Sequence, residues 1–273
     1  MIAPIVDFSW LNEHRSEVVL VDSRWYLDGR SGRDAYEQGH IPGAVFIDLD
    51  TWLSGHGDAD VGRHPLPEPS LFAEGMSKSG IGDGATVVAY DDAGGVIAAR
   101  LVWMLRALGE SSALLDGGLQ NYKGDLEVGS QKPAKTDFSE RRWPQSRIAT
   151  IDEACDTENI VLDARNRDRY QGENELVDPR AGHIPGALNV PCRENLNTDA
   201  TFLPADVLRR RFEDAGVKEG RGVISYCGSG VTACHNLLAM EFVGLGQGRL
   251  FPGSWSQYSH AVDCPVSTGS EPQ

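Results

Sequence analysis

The sequence has few of the features that mark membrane proteins or nucleic-acid binders. Its 273 residues contain no run of about 18 apolar residues, the length that a membrane-spanning helix needs. The opening "MIAPIVDFSWLNEHRSE" has neither a basic segment followed by an apolar one nor an Arg- and Ser-rich composition, so no leader or transit peptide is expected. Basic residues number 25 against 40 acidic residues, and the formal net charge is −15. We therefore expect neither a membrane nor a nucleic acid as partner.

Cysteines are also few, and they do not form paired motifs. There are five, an odd number with no C-x-x-C pair, which argues against a disulfide framework and against a zinc site. No metal and no organic cofactor is expected. A reducing cytoplasm is the simplest predicted location, because it keeps a lone thiol available for chemistry. The five are Cys155, Cys192, Cys227, Cys234 and Cys264.

One pattern occurs twice along the chain. Residues 18–48 resemble residues 159–190, and both copies contain HIPGA, beginning at His40 and at His183. Residues 86–109 likewise match residues 222–244. Similar stretches in the same order predict a duplicated domain. We place the first copy at residues 1–125, a polar linker at 126–147 and the second copy at 148–273.

Each copy is predicted to alternate strands and helices. Short β-branched runs such as Val18–Val21, Val87–Tyr90, Ile160–Leu162 and Val223–Tyr226 are typical of buried parallel strands. The segments 98–108 and 231–243 have apolar residues at helical spacing, and each is followed by a glycine. The predicted fold class is therefore α/β, with a mostly parallel sheet covered by helices on both faces in each copy.

The stretch "SYCGSGVTACHN" in the second copy places Cys227 directly after a strand and shortly before a helix. Gly228 and Gly230 allow the backbone amides to converge on an anion, and the helix adds its positive end. A reactive nucleophile is one interpretation, and an inert buried cysteine is the other. The position six residues after the cysteine is Ala233 and not arginine, which argues against phosphatase chemistry. Asp91 takes the cysteine's place in the first copy, so one active copy is expected.

These residues resemble a known family. Two copies of an Asp-[Ser/Ala]-Arg stretch followed by GHIPGA, with "CGSGVTA" in the second copy alone, are similar to tandem-domain sulfurtransferases of the rhodanese family. The loop is similar to that of 3-mercaptopyruvate sulfurtransferases, because rhodaneses that prefer thiosulfate usually carry basic residues after the cysteine. The resemblance implies two rhodanese-like domains and a Cys227 persulfide as intermediate. It also implies that the loop amides of Gly228, Gly230, Val231 and Thr232 bind the sulfur.

The resemblance further implies binding and relay residues. Two arginines that hold the donor's carboxylate and ketone map onto Arg169 in "RDRYQG" and Arg180 in "DPRAGHIPG". A proton relay maps onto Ser229, His40 and Asp34, and a structural role is the alternative for His40 because His183 repeats its motif. The loop "GRHPLP" at 62–67 is expected to line the active cleft. Arg165 is expected to form a structural ion pair, as its counterpart Arg24 lies in the inactive copy.

Three functions follow as alternatives. The first is transfer of sulfur from 3-mercaptopyruvate to a thiophile, which is cyanide or a thiol such as that of thioredoxin. The second is the same reaction with thiosulfate as the donor. The third is a non-catalytic protein that relays sulfur from a partner. In every case the ligand is a small anionic sulfur donor, and a local cluster of positive charge must bind it against the overall negative charge. Cys234 is expected to be buried, and Cys264 has no assigned role.

Overall fold

The structure is a computed structural model that describes residues 1–272, and the chain forms two compact units. The first unit contains Met1–Gly55, Pro67–Trp143 and Leu196–Phe202. The second contains His56–Leu66, Pro144–Asn195 and the chain from Leu203 onward. The units are therefore not consecutive stretches of sequence. Residues 56–66, from the first half of the chain, belong to the second unit, and residues 196–202, from the second half, belong to the first unit. No helix within residues 1–272 is long and apolar enough to cross a membrane.

The first unit is built on a five-stranded parallel sheet in the order β1-β5-β4-β2-β3. Its strands are β1 (Ile5–Val6), β2 (Val18–Asp22), β3 (Val45–Phe46), β4 (Thr86–Tyr90) and β5 (Ser112–Leu115). Its helices are α1 (Phe8–Glu13), α2 (Gly32–Gln38), α3 (Leu49–Trp52), α4 (Pro69–Lys78), α5 (Ala99–Ala107) and α6 (Gly118–Asn121). Strand β4 is almost entirely buried, as expected for a β-branched strand in the middle of a parallel sheet.

The second unit repeats this topology with a four-stranded parallel sheet in the order β7-β6-β8-β9. Its strands are β6 (Ile160–Asp163), β7 (Leu188–Asn189), β8 (Val223–Tyr226) and β9 (Arg249–Leu250). Its helices are α7 (Ile151–Cys155), α8 (Arg167–Gln171), α9 (Ala205–Asp214), α10 (Ala233–Phe242) and α11 (Ser254–Tyr258). A parallel bridge from Ile148 to Leu250 lies where β1 pairs with β5 in the first unit. The predicted duplicated α/β fold is confirmed.

Short 3₁₀ turns complete the second unit, at Gln145–Arg147, Cys192–Asn195 and Gly220–Gly222. Its core lies on the sheet and includes Tyr226, Phe251, Trp255 and Tyr258, each at most 1% exposed. Trp255 is therefore a core residue. The strand β8 ends in this core, and it brings the next residue, Cys227, to the carboxyl edge of the sheet.

The Asp-x-Arg stretches of the two copies have the same structural role. Arg165 binds the Asp163 carboxylate through Nε at 3.1 Å and Nη2 at 2.7 Å, and its Nη2 also donates to the Gly182 carbonyl. In the first copy Arg24 binds Asp22 and the Gly39 carbonyl in the same way. The predicted structural ion pair of Arg165 is confirmed, and the arginine fastens the HIPGA segment to the end of a strand.

Candidate active site

Cys227 begins a six-residue loop, residues 227–232, between β8 and α10. The side chain is buried, and its Sγ accepts the Gly230 N–H at 3.2 Å. Gly230 has φ of +77°, and a Cβ there would come within 2.4 Å of the Pro252 carbonyl oxygen, so only glycine fits. The Cys227 N–H donates to Ser254 Oγ at 3.1 Å, which fixes the start of the loop. The sulfur is therefore held in place with a backbone donor aimed at it.

The corresponding loop of the first copy, residues 91–98, shows that backbone amides at this position can bind an anionic group. There the Asp91 carboxylate, fully buried, accepts four backbone N–H groups at 2.7–2.9 Å. The donors are the amides of Ala93, Gly95, Ile97 and Ala98. This loop is longer, since eight residues separate β4 from α5 and six separate β8 from α10. The residue that follows the central strand is thus an aspartate in the first copy and a cysteine in the second.

Ser229 lies in the cysteine loop and pairs with a histidine that sequence reasoning did not select for this role. Its Oγ is 2.8 Å from His64 Nδ1, and both residues are buried. His64 lies on the segment His56–Leu66, which packs with the second unit. The Arg63 N–H donates to Ser256 Oγ at 3.0 Å, and Gly62, with φ of +84°, lies against the Gly253 carbonyl. The motif "GRHPLP" at 62–67 is the sequence signal for this segment.

His40 and Asp34 lie elsewhere, in the first unit. The His40 ring stacks on Tyr36 with centroids 4.0 Å apart, and its Nδ1 is 2.9 Å from the Tyr36 carbonyl oxygen. His183 repeats this arrangement on Tyr170, at 3.7 Å and 2.8 Å. Asp34 is exposed in the first turn of α2. The structure therefore favours the alternative already considered for His40: the histidine of each HIPGA motif is a structural residue, and Ser229 meets His64 and not His40.

Arg169, on α8, lies beside the cysteine loop. A Cβ on Gly228 would be 3.2 Å from Arg169 Nη1. Two buried carboxylates orient the guanidinium: Glu175 accepts from Nε and Nη2, and Asp178 accepts from Nη2 at 3.0 Å. Burial alone would raise the pKa of Glu175, but hydrogen bonds from Arg169 and from two backbone amides lower that pKa below its ordinary value. Glu175 is therefore ionised at neutral pH, and it holds the arginine in place.

Arg180 is fully occupied by the backbone. Its Nε, Nη1 and Nη2 donate to four carbonyl oxygens at 2.6–2.8 Å. The acceptors are Tyr258, Ser259, Ala261 and Cys264, which follow one another at and after the end of α11. A guanidinium has five N–H donors in a fixed plane, and these contacts use most of them. The structure thus gives Arg180 a scaffolding position and does not offer its donors to a ligand.

The other cysteines near the loop are poorly suited to nucleophilic chemistry. Burial raises the pKa of the Cys192 thiol to about 12, and its side chain interacts with Thr232. Cys234, in α10, is buried and its Sγ donates to the Gly230 carbonyl at 3.5 Å. Within residues 1–272 no group of three His, Cys, Asp or Glu side chains is arranged to hold a metal ion. Cys227, by contrast, lies at the start of the loop, and its Sγ accepts a backbone N–H.

Comparison with known proteins identifies the two domains. The model of the rhodanese-like domain matches twice, at residues 7–125 and 148–261. A Pseudomonas aeruginosa protein named for 3-mercaptopyruvate sulfurtransferase activity is 40% identical over 93% of both chains. A Mycobacterium tuberculosis protein named for thiosulfate sulfurtransferase activity is 39% identical over 93% of this chain and 92% of its own.

A solved structure gives the same result. The 3-mercaptopyruvate sulfurtransferase of Leishmania major superposes with a TM-score of 0.86 at 30% identity, over 97% of this chain and 76% of that chain. With two matched domains and relatives near 40% identity over most of its length, the chain belongs to the rhodanese-like family and is a tandem-domain sulfurtransferase.

Proposed function

We propose that this protein takes a sulfur atom from 3-mercaptopyruvate and passes it to a thiophilic acceptor through a persulfide on Cys227. The observation that carries the proposal is the cysteine loop itself. The Gly230 N–H points at Sγ, and the Ser229–His64 pair lies on the same loop. A nucleophile, an anion-stabilising amide and a proton-transfer pair are the groups that the reaction requires.

The first half-reaction forms the persulfide. The Cys227 thiolate attacks the sulfur of mercaptopyruvate, an S–S bond forms and the C–S bond breaks. The electron pair of the C–S bond goes to the adjacent carbon, where the ketone stabilises it as the enolate of pyruvate. Protonation of that carbon yields pyruvate, and the sulfur remains on Cys227.

The Ser229–His64 pair is positioned to supply the proton for this step. The hydroxyl and the imidazole are 2.8 Å apart, which is a normal hydrogen-bond distance. A proton can pass from the imidazolium through the hydroxyl to the leaving enolate. The relay proposed for His40 and Asp34 is thereby reassigned to His64, with Ser229 keeping its predicted role.

Arg169 is proposed to bind the donor's carboxylate. Its Nη1 faces Gly228 and has no hydrogen-bond partner in the described chain, whereas Nε and Nη2 are held by Glu175 and Asp178. An orienting contact on one side of a guanidinium and a free donor on the other is a geometry suited to a carboxylate ligand. Such a local positive group also binds an anion despite the net charge of −15.

The second half-reaction returns the enzyme to its starting state. A thiol, such as that of thioredoxin, or cyanide attacks the outer sulfur of the persulfide. The S–S bond breaks, its electron pair returns to the Cys227 sulfur, and the acceptor leaves as a persulfide or as thiocyanate. The persulfide anion is proposed to be stabilised by the loop amides of Gly228, Gly230, Val231 and Thr232. In the first copy, backbone amides bind the Asp91 carboxylate in the same manner.

Thiosulfate is the second candidate donor, because the Mycobacterium tuberculosis relative at 39% identity is named for it. Steady-state kcat/KM for the two donors distinguishes them, and a preference for thiosulfate would contradict the proposal.

Mass spectrometry tests the persulfide directly. After incubation with mercaptopyruvate alone, the Cys227 peptide should gain the mass of one sulfur atom, and Cys227→Ser should abolish the gain. An unmodified peptide, with labelling only by a persulfidated partner protein, would favour the relay function.

A further inference from the structure

Exposed apolar side chains are concentrated on three loops of the second unit. Nine large apolar residues are exposed within residues 1–272, and four of these lie on the three loops. Leu176 is 90% exposed and Val262 is 83% exposed, so both side chains extend into solvent. The four are Val61, Leu176, Val177 and Val262. We call the three loops, residues 57–62, 173–178 and 259–264, the rim.

Side-chain hydrogen bonds connect the loops of the rim to one another. Arg63, which follows the first loop, donates to the Asp178 carboxylate in the second loop at 2.7 Å. Arg180, just after the second loop, donates to backbone carbonyl groups of the third loop. Gln257, just before the third loop, donates to the Asp60 carbonyl in the first loop at 2.6 Å. The three loops therefore form one connected surface.

The rim lies next to the cysteine loop. The Ser256 N–H donates to the Gly228 carbonyl at 2.8 Å, and the Ser256 carbonyl oxygen lies 2.7 Å from Nδ1 of His260 in the third loop. The Arg63 N–H, at the end of the first loop, donates to Ser256 Oγ at 3.0 Å. Carboxylates of the second loop orient Arg169, whose Nη1 would be 3.2 Å from a Cβ on Gly228. Each loop of the rim is thus anchored beside the cysteine loop.

The second loop presents Leu176 on a fixed turn. Glu175 Oε1 accepts the N–H groups of Val177 and Asp178 at 3.0 and 3.1 Å. The same carboxylate also binds Arg169. Leu176 lies between these anchored residues, and its side chain faces solvent. Apolar side chains grouped on a surface in this way mark a site that another molecule covers.

The charge of the rim is negative. Its three loops contain six acidic residues and neither lysine nor arginine. Glu175 and Asp178 are paired with arginines, and the other four acidic residues are exposed. The exposed acidic residues are Asp58, Asp60, Glu173 and Asp263. A surface that is apolar and acidic complements a partner surface that is apolar and basic. It disfavours a second copy of this chain as the occupant, because two acidic rims would repel each other.

We propose that the rim is the docking surface for a protein acceptor whose reactive cysteine lies in an apolar surface bordered by lysine or arginine residues. The inference rests on the proposed function and deepens it, because it names the class of molecule that removes sulfur from Cys227. Cys227 is only 2% exposed, so the acceptor's thiol must be guided to it. The acceptor thiolate attacks the outer sulfur of the persulfide and forms a new S–S bond. The old S–S bond breaks, and its electron pair returns to the Cys227 sulfur. Cyanide and small thiols complete the same step without contacting the rim.

The test measures the second half-reaction alone. Cys227 is loaded with sulfur from inorganic polysulfide, so that the result does not depend on the natural donor, and mass spectrometry follows the loss of the persulfide. The probe is a short synthetic peptide whose cysteine is flanked by leucine, tryptophan and lysine residues. A second peptide has glutamate in place of lysine. Cyanide and dithiothreitol are the small acceptors for comparison.

Leu176→Ser and Val262→Ser should each lower the second-order rate constant for the basic peptide about fivefold or more, because a buried apolar contact is lost. Both variants should react with cyanide and dithiothreitol at wild-type rates. Val128→Ser makes the same change at another exposed valine, in the first unit, and should have no effect with any acceptor. Glu173→Lys should slow the basic peptide and accelerate the acidic one, and added salt should reduce both changes.

Wild-type rate constants for the basic peptide in both serine variants would overturn the docking surface. A loss that extends to cyanide would also overturn it, since the substitution would then act on the cysteine loop itself. Sedimentation that shows a wild-type dimer dissociated by Leu176→Ser would assign the rim to a second copy of the chain instead. Equal rate constants for the two peptides would overturn the assignment of a basic partner. If polysulfide loads Cys227 and mercaptopyruvate does not, the proposed donor is wrong, and the peptide comparison still decides the role of the rim.

Discussion

The substitution Asp91→Asn tests whether the first copy's loop depends on its internal anion. Asp91 accepts four backbone N–H groups, two at each carboxylate oxygen. Asparagine has the same shape, but it replaces one oxygen with an NH₂ group. Two buried amides would then face a donor and not an acceptor, whichever way the side chain is turned.

The magnitude follows from these four contacts. A buried donor left without a partner costs about 1–3 kcal/mol, and a bond to a charged acceptor is worth more than one to a neutral acceptor. Two lost bonds and two weakened ones therefore predict a decrease of at least about 3 kcal/mol in the free energy of unfolding. That is a large part of the stability of an ordinary domain.

Urea denaturation followed by circular dichroism measures the loss, and hydrogen exchange assigns the transition to a unit. Peptides from α5 report the first unit, and peptides from α10 report the second. Asp92→Asn is the matched control, because it makes the same change at the neighbouring residue, whose carboxylate accepts a hydrogen bond from the Tyr26 hydroxyl at 2.6 Å. A loss below about 1 kcal/mol for Asp91→Asn, or an equal loss for Asp92→Asn, would refute the reasoning.

Three further predictions concern the second unit and the reassigned residues. His64→Ala should lower kcat with mercaptopyruvate by about 10²–10⁴-fold. His40→Ala should lower the melting temperature and leave kcat nearly unchanged. The reverse result would favour the relay of Ser229, His40 and Asp34. Arg180→Ala should cost about 2–4 kcal/mol, because it strands backbone carbonyl groups, while KM measured on the folded fraction stays at the wild-type value. Burial lowers the pKa of His183 below its ordinary 6.5, so the unfolded chain binds the proton more tightly than the folded chain does. The contribution of His183 to the free energy of unfolding is therefore fully present above pH 6.5 and decreases as the pH falls below that value. His183→Gln should flatten that decline in a pH series of urea titrations, and an unaltered slope would exclude His183 as its cause.

The fold was predictable because its signals are local and occur twice. β-Branched runs and glycine-terminated helical segments mark the elements, and the repeated HIPGA motifs mark equivalent positions. The Cys227 loop was also predictable, since its glycines are adjacent in sequence and their effect on the backbone is intrinsic to the residue. Asp91 at the equivalent position showed in advance that the first copy lacks the nucleophile.

The partners of the loop were not predictable in the same way. Arg169 and Arg180 look alike in sequence, and they differ only because the carbonyl groups of residues 258–264 turn towards Arg180. The choice between His40 and His64 depends on which unit the segment His56–Leu66 joins. No local pattern specifies that, because Gly62 and Arg63 are held by residues 253 and 256, far along the chain.

The placement of the segment His56–Leu66 has a consequence for how this gene can be divided. A fragment encoding only residues 144–273 would retain Cys227, Ser229 and Arg169 but would lack Arg63 and His64, which pack with them. Splitting the duplicated gene between its two copies would therefore separate Cys227 and Ser229 from His64.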